Sequence, residues 1–174
     1  MLTDALDQIA EHLRRLNRPV AWWLRPGIRA DLLPADLPES VVRWFGWADG
    51  VESFDGQLQD DANVIPGYTM LSYDEAVRIM PAYAGDPVLG SSFLPLLTTA
   101  GADIYAAVWT PNSDAQVAGV ITGLPTEIEF DSIEQMADVF NACFDAAVYA
   151  VDDTNRLVQD PDRYEELYAE IVGR

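Results

Sequence analysis

Leu2, Leu6, Ile9, Leu13 and Leu16 follow one another in steps of four and three, the repeat that lines up side chains on one face of an α-helix. The pattern predicts a core-facing helix over residues 3–17, capped by Thr3 and stopped by Pro19, whose ring cannot continue the helical ladder. Val20-Ala21-Trp22-Trp23-Leu24 is apolar without a period and reads either as a strand or as an irregular hydrophobic plug closed by Pro26-Gly27. A second helical stripe follows at Leu37, Val41, Trp44, Phe45 and Ala48, with Pro38 in its first turn and Gly50 at the left-handed position past its end. Val51 to Asn63 is an acidic loop. Tyr68-Thr69-Met70-Leu71 then predicts a strand that runs into Ser72-Tyr73-Asp74-Glu75, where Ser and Glu three apart form a capping box and open a short helix to about Met80.

The second half alternates differently. After a loop from Asp86 to Ser92, Phe93 to Leu97, Asp103 to Trp109 and Val117 to Ile121 predict strands, the last two joined as a hairpin through Pro111-Asn112-Ser113-Asp114. Ile133, Met136, Ala137, Phe140, Phe144 and Ala147 or Val148 return to helical spacing, capped by Ser132 with Gln135 or by Asp131 with Glu134. Asp160-Pro161 opens a last helix over 161–173 with Tyr164, Leu167, Tyr168 and Ile171 on its inner face. Helices set apart from a hairpin-connected sheet make an α+β fold: a mainly antiparallel sheet packed with N- and C-terminal helices. At 174 residues and 49% hydrophobic, the chain can fill one core and is short for two, so 1–174 reads as a single domain. No apolar run approaches the length of a membrane span, and the opening Leu2-Thr3-Asp4 stretch is of mixed polarity without the basic and apolar regions of a secretory signal, which sets the expectation of a cytoplasmic protein with no membrane partner.

Charge narrows the partner. The formal net charge is −19, lysine is absent, and between Asp49 and Asn155 eighteen acidic side chains face one basic residue, Arg78. Residues 1 to 48, by contrast, balance six acids against six arginines. A field of that sign repels nucleic acid and attracts cationic surfaces, although a compositional bias of the genome or a saline habitat would leave the same mark.

Catalytic constellations are sparse. His12 is the one imidazole available to a Ser-His or Cys-His pair, and it lies at the edge of the first helical stripe beside Arg14 and Arg15. Cys143 falls between Phe140 and Phe144 in the long helix, where a free thiol behaves as a small hydrophobe. There is no Gly-rich phosphate loop and no lysine for Schiff-base chemistry. Asp60-Asp61 with Asn63, and Asp152-Asp153 with Asn155, offer oxygen ligands but not calcium-loop spacing, and read as solvated acidic turns. The expectation is therefore a protein without catalytic residues, cofactor or metal. Of the five tryptophans, Trp44 lies on the stripe, whereas Trp47 reads as core or as a partly exposed interface anchor.

Several of these segments, in this order, resemble the SMI1/KNR4 group of the SUKH superfamily. The Leu37-Pro38 helix ending near Asp49-Gly50 is similar to the family's opening element, with Asp49 where Asn is more usual. Met70-Leu71-Ser72-Tyr73-Asp74-Glu75-Ala76 resembles its strand and Ser-capped helix, Phe93-Leu94-Pro95-Leu96 with Gly101-Ala102-Asp103-Ile104-Tyr105 its Phe-Leu-Pro segment and aromatic strand, and Phe130-Asp131-Ser132-Ile133 the start of its closing helix. The resemblance covers roughly residues 35–145; the Trp22-Trp23 segment and the C-terminal helix are outside it. It implies a non-catalytic binding module, of the kind that in bacteria serves as an immunity protein neutralising a cognate toxin. A regulatory or scaffold protein of the same fold is the alternative, and a small enzyme a third. Placed on this chain, the immunity reading nominates Asp49, Glu52, Asp55, Asp60 and Asp61 as the face for a basic toxin surface, with Phe54 and Trp47 as aromatic anchors.

Overall fold

The computed structural model describes residues 1–173. Helix α1 (Leu2–Arg15) turns its leucine stripe inward, burying Leu2, Leu6, Ile9 and Leu13. Thr3 does not cap it. The helix already includes Leu2, so Thr3 lies inside it; the N-cap position falls on Met1, which makes no side-chain cap hydrogen bond and whose ammonium lies 3.3 Å from both Asp4 and Glu134. The helix ends before Pro19 because Asn17 adopts φ 53°, with the Asn17 N–H bonded to the Arg14 carbonyl and the Arg18 N–H to that of Leu13. That Schellman turn swings Arg18 into the interior.

The apolar run after Pro19 is neither one strand nor a plug. Pro19–Trp22 forms a 3-10 turn, and Leu24–Pro26 is a short strand, β1. Helix α2 (Glu39–Trp47) passes directly into β2 (Ala48–Val51), which pairs antiparallel with β1. Gly50 is left-handed as its sequence suggests, at φ 76°, yet it lies within β2 and not at the helix end. A Cβ there would stand 2.5 Å from the Ser72 nitrogen, so close backbone approach requires glycine at this position. The acidic loop is shorter than its sequence suggests, since α3 (Gln59–Ala62) takes up its end.

Six strands then build the main sheet: β3 (Asn63–Ile65), β4 (Tyr68–Met70), β5 (Phe93–Thr98), β6 (Ile104–Val108), β7 (Gln116–Val120) and β8 (Glu127–Phe130). Their spatial order is their chain order and every neighbouring pair is antiparallel. Helix α4 (Tyr73–Ile79), between β4 and β5, begins with the expected capping box: the Ser72 hydroxyl accepts from the Glu75 N–H at 3.2 Å while Glu75 accepts from the Ser72 N–H at 2.9 Å. Helix α5 (Ile133–Asp145) is capped by Ser132, whose hydroxyl accepts from the Gln135 N–H at 3.0 Å. A hairpin the sequence did not announce, β9 (Tyr149–Val151) with β10 (Leu157–Gln159), leads to α6 (Pro161–Val172).

Alternation along the strands divides the apolar side chains between two faces. Ala107 and Val117 join the main core with Phe130, Phe140 and the stripes of α1 and α2, whereas Ile104, Ala106 and Ala118 pack with Leu89 and Phe93 on the other face. Asp86 fastens the segment over that second face, accepting from the Val88 and Leu89 N–H groups and, at 2.6 Å, from the Thr126 hydroxyl. The chain is thus a single α+β domain in which a six-stranded antiparallel sheet is flanked by N- and C-terminal helices. No helix among the described residues is long and apolar enough to cross a membrane.

Replacing Gly50 with Ala combines a disfavoured φ with the contact on Ser72. An expected loss of about 2 kcal/mol or more should appear as a lower urea midpoint at unchanged m-value.

Candidate functional site

Arg18 is the largest fully buried side chain among the described residues, and it engages two of the five acidic candidates. Its Nη2 donates to Asp60 Oδ2 at 2.6 Å and to the Asp60 carbonyl at 3.0 Å, and lies 3.5 Å from Asp61 Oδ1. Nη1 donates to the Asn155 carbonyl at 2.8 Å. Asp60 Oδ2 also accepts from the Leu157 N–H at 3.3 Å, so one carboxylate joins the end of α1, the start of α3 and the β9–β10 hairpin. Asp60 and Asp61, nominated to face a partner, are half-buried and serve as counter-ions of Arg18.

Asp49 is likewise engaged within the fold. Its Oδ1 accepts from the Tyr73 N–H at 2.8 Å, at the positive end of α4, and its Oδ2 lies 3.6 Å from Arg25. Trp47 is half-buried on the α1–α2 side, where its indole donates to Asp7 at 2.8 Å; the cleft it lines with Thr3 and Ile28 shares no residue with the acidic loop. In the second acidic turn, Asp152 accepts from the Thr154 N–H and hydroxyl and the Arg156 N–H, which hold its carboxyl below the ordinary range. It shapes the hairpin.

What remains of the nominated set is one loop. Glu52, Phe54 and Asp55 are exposed, and the two carboxylates have no hydrogen-bond or ion-pair partner among the described residues. The loop is nevertheless well defined. Glu52 N–H donates to the Trp23 carbonyl at 2.8 Å, the Gln57 side chain to the Glu52 carbonyl at 2.8 Å, and the Gln57 N–H to the Phe54 carbonyl at 3.2 Å. Gly56, at φ 84°, supplies the left-handed residue of that turn. Phe54 stands edge-on to Trp23 at 5.0 Å.

Sequence reasoning missed two neighbours of this loop. Trp22 is 63% exposed at the end of the 3-10 turn that packs against α3, and Leu58, at 66%, immediately precedes α3. Trp22 sits in an apolar run and Leu58 alone between Gln57 and Gln59, and no periodicity signals the exposure of either. Behind the loop lies a cleft of about 210 Å³, with Glu52, Gln57, Gln59, Thr69, Glu75 and Thr98 among its lining residues.

The groups with the most chemical potential lie elsewhere. Cys143 is fully buried and burial pushes its thiol up to about 11, which keeps it protonated and inert at neutral pH. His12, expected at the edge of the apolar stripe as a surface or boundary residue, is instead buried, 4% exposed, and stacks on Phe144 at 5.0 Å. Arg15 donates to its Nδ1 at 2.6 Å, leaving the imidazole proton on Nε2, which lies 3.6 Å from Asp145 without a hydrogen bond. Burial and then Arg15 lower the His12 pKa, opposed by Asp145 and Glu11. Among the described residues no cluster of His, Cys, Asp and Glu has the arrangement of a metal site.

Replacing Arg18 with Leu strands Asp60 beside a buried gap, and urea unfolding should show a loss of about 3 kcal/mol or more; adding Asp60→Asn should recover part of it. His12 generates a second expectation. Because its folded pKa lies below the unfolded value near 6.5, the unfolded chain takes up the proton first and stability falls as pH drops below about 6.5. His12→Phe should flatten the stability profile between about pH 6.5 and 5, measured by urea unfolding.

No protein-family model matches this chain, and no curated protein matches it.

Proposed function

We propose that this chain is a non-catalytic protein-binding module of the SMI1/KNR4 type, acting as an immunity protein that masks a basic surface on a cognate toxin domain. The observation that carries the reading is the 52–58 loop. With Asp49, Asp60 and Asp61 held by internal partners, Glu52 and Asp55 still project unpaired beside exposed apolar side chains, in a chain of net charge −19. Unpaired carboxylates on a fixed loop cost little to bring against a cationic partner, and they accelerate encounter through long-range attraction. Asp49 adds support for the resemblance: it uses one carbonyl-type oxygen to receive the Tyr73 N–H, a role that Asn fills equally well. The protonated, buried thiol of Cys143 and the packed ring of His12 favour binding over hydrolytic chemistry.

The test is association with the product of the neighbouring gene, which on this reading is the cognate toxin, followed by stopped-flow or surface plasmon resonance at low and high salt. Glu52→Gln with Asp55→Asn should slow association about tenfold at low salt, weaken its salt dependence and leave the melting temperature unchanged. Association as fast as the wild type would remove the loop from the interface, and absence of any complex would remove the immunity reading.

A further inference from the structure

Resting on the binding-module reading, we propose that Trp22, Trp23, Phe54, Leu58 and the cleft behind the 52–58 loop form one docking site for a protein segment that alternates cationic and apolar side chains. Two different chemistries meet at this loop. On one side Trp22, Phe54 and Leu58 are 63%, 48% and 66% exposed, and Trp23 braces Phe54 from beneath. Other large exposed apolar side chains are dispersed, for example Val77 on α4 and Leu124 between β7 and β8. Exposed aromatic anchors gathered beside polar groups are the composition of an interface centre.

On the other side, the cleft is lined by hydrogen-bond acceptors and contains no cationic residue. Glu52 contributes an unpaired carboxylate. Glu75 spends Oε2 on the Ser72 N–H and hydroxyl, both at 2.9 Å, leaving Oε1 without a partner among the described residues. Gln57, Thr69 and Thr98 add neutral acceptors around an apolar floor of Val51, Met70 and Leu71. A cavity of about 210 Å³ takes a guanidinium or ammonium head group on its aliphatic stem. Glu52 lines the cleft and Asp55 follows Phe54 on the same loop, so a segment that carries both chemistries can engage cleft and apolar side chains together. An arginine outside the cleft can stack on the exposed faces of Trp22 and Phe54. The same charges turn away acidic segments, nucleic acid and anionic lipid.

The loop is also preorganised. Its three backbone-directed hydrogen bonds and the Arg18 clasp behind α3 fix the spacing of ridge and cleft before any partner arrives, which lowers the ordering cost of binding.

The experiment uses the full-length, isotope-labelled protein at about 0.15 M salt, where surface charges are screened beyond about 8 Å. The probes are two amidated hexapeptides, one alternating Arg and Leu and the other alternating Glu and Leu. The Arg peptide should shift amides confined to residues 22–24, 52–59, 69–71 and 98–99, and the Glu peptide should shift none. Leu58→Ser, an exposed position whose change leaves folding intact, and Glu52→Gln should each weaken the Arg peptide at least about fivefold, whereas Glu165→Gln on α6 should not. Shifts spread over the acidic surface, or equal losses in all three variants, would overturn the site in favour of diffuse charge attraction. Absence of any shift would overturn it as well. A toxin domain that binds the wild type and the Leu58→Ser/Trp22→Ser protein equally would reject this site while leaving the binding-module reading intact.

Discussion

A guanidinium removed from water sits at the junction on which this structure depends. Burying an ion costs several kcal/mol unless charge and hydrogen bonds replace its hydration. Arg18 meets that demand by drawing together a carboxylate and a carbonyl from Asp60 and a second carbonyl from Asn155. Its Nε is left without a partner, so the compensation is incomplete and the geometry of the remaining contacts matters more. The Schellman turn at Asn17 aims the side chain inward, α3 forms where its carboxylates are needed, and the β9–β10 hairpin is pulled against the same point through the Leu157 N–H. The acidic loop owes its fixed end to this pairing.

The α+β class and the major helices were legible because their signals are local. Apolar stripes, Ser72 with Glu75, Ser132 with Gln135 and Asp160 before Pro161 declare a helix without reference to the rest of the chain. The elements that escaped are those whose conformation comes from a partner. β2 reads Ala-Asp-Gly-Val, a poor strand sequence that becomes extended by pairing with β1. β9 and β10 are three residues each and are held by one another, and β8 is a four-residue strand at the sheet edge. Thr3 does not cap because the helix starts one residue earlier, at Leu2.

For the candidate site, charge could be counted in the sequence but not assigned to solvent or interior. The counter-ion of Asp60 lies 42 residues away and the N–H that engages Asp49 lies 24 away, separations that no local pattern reveals. Glu52, Phe54 and Asp55 kept their nominated exposure because Gly56 and the turn around it are locally encoded. Trp22 was passed over because an apolar residue in an apolar run is presumed inside, whereas Leu58, alone between Gln57 and Gln59, carries no periodic signal either way; both are exposed where the 3-10 turn and α3 meet.

The order of the main sheet bears on how the molecule comes into being. When each strand pairs with the next in the chain, every ladder closes a modest loop, and the sheet can zip from any hairpin with little entropy at stake. The Arg18–Asn155 bond spans 137 residues and has no such local route. The fold thus combines a sheet built from sequence-local pairings with one distant closure, in which segments near the two ends of the chain meet around a buried cation. The acidic loop ends at that same closure, so the surface it presents depends on contacts drawn from both ends of the chain.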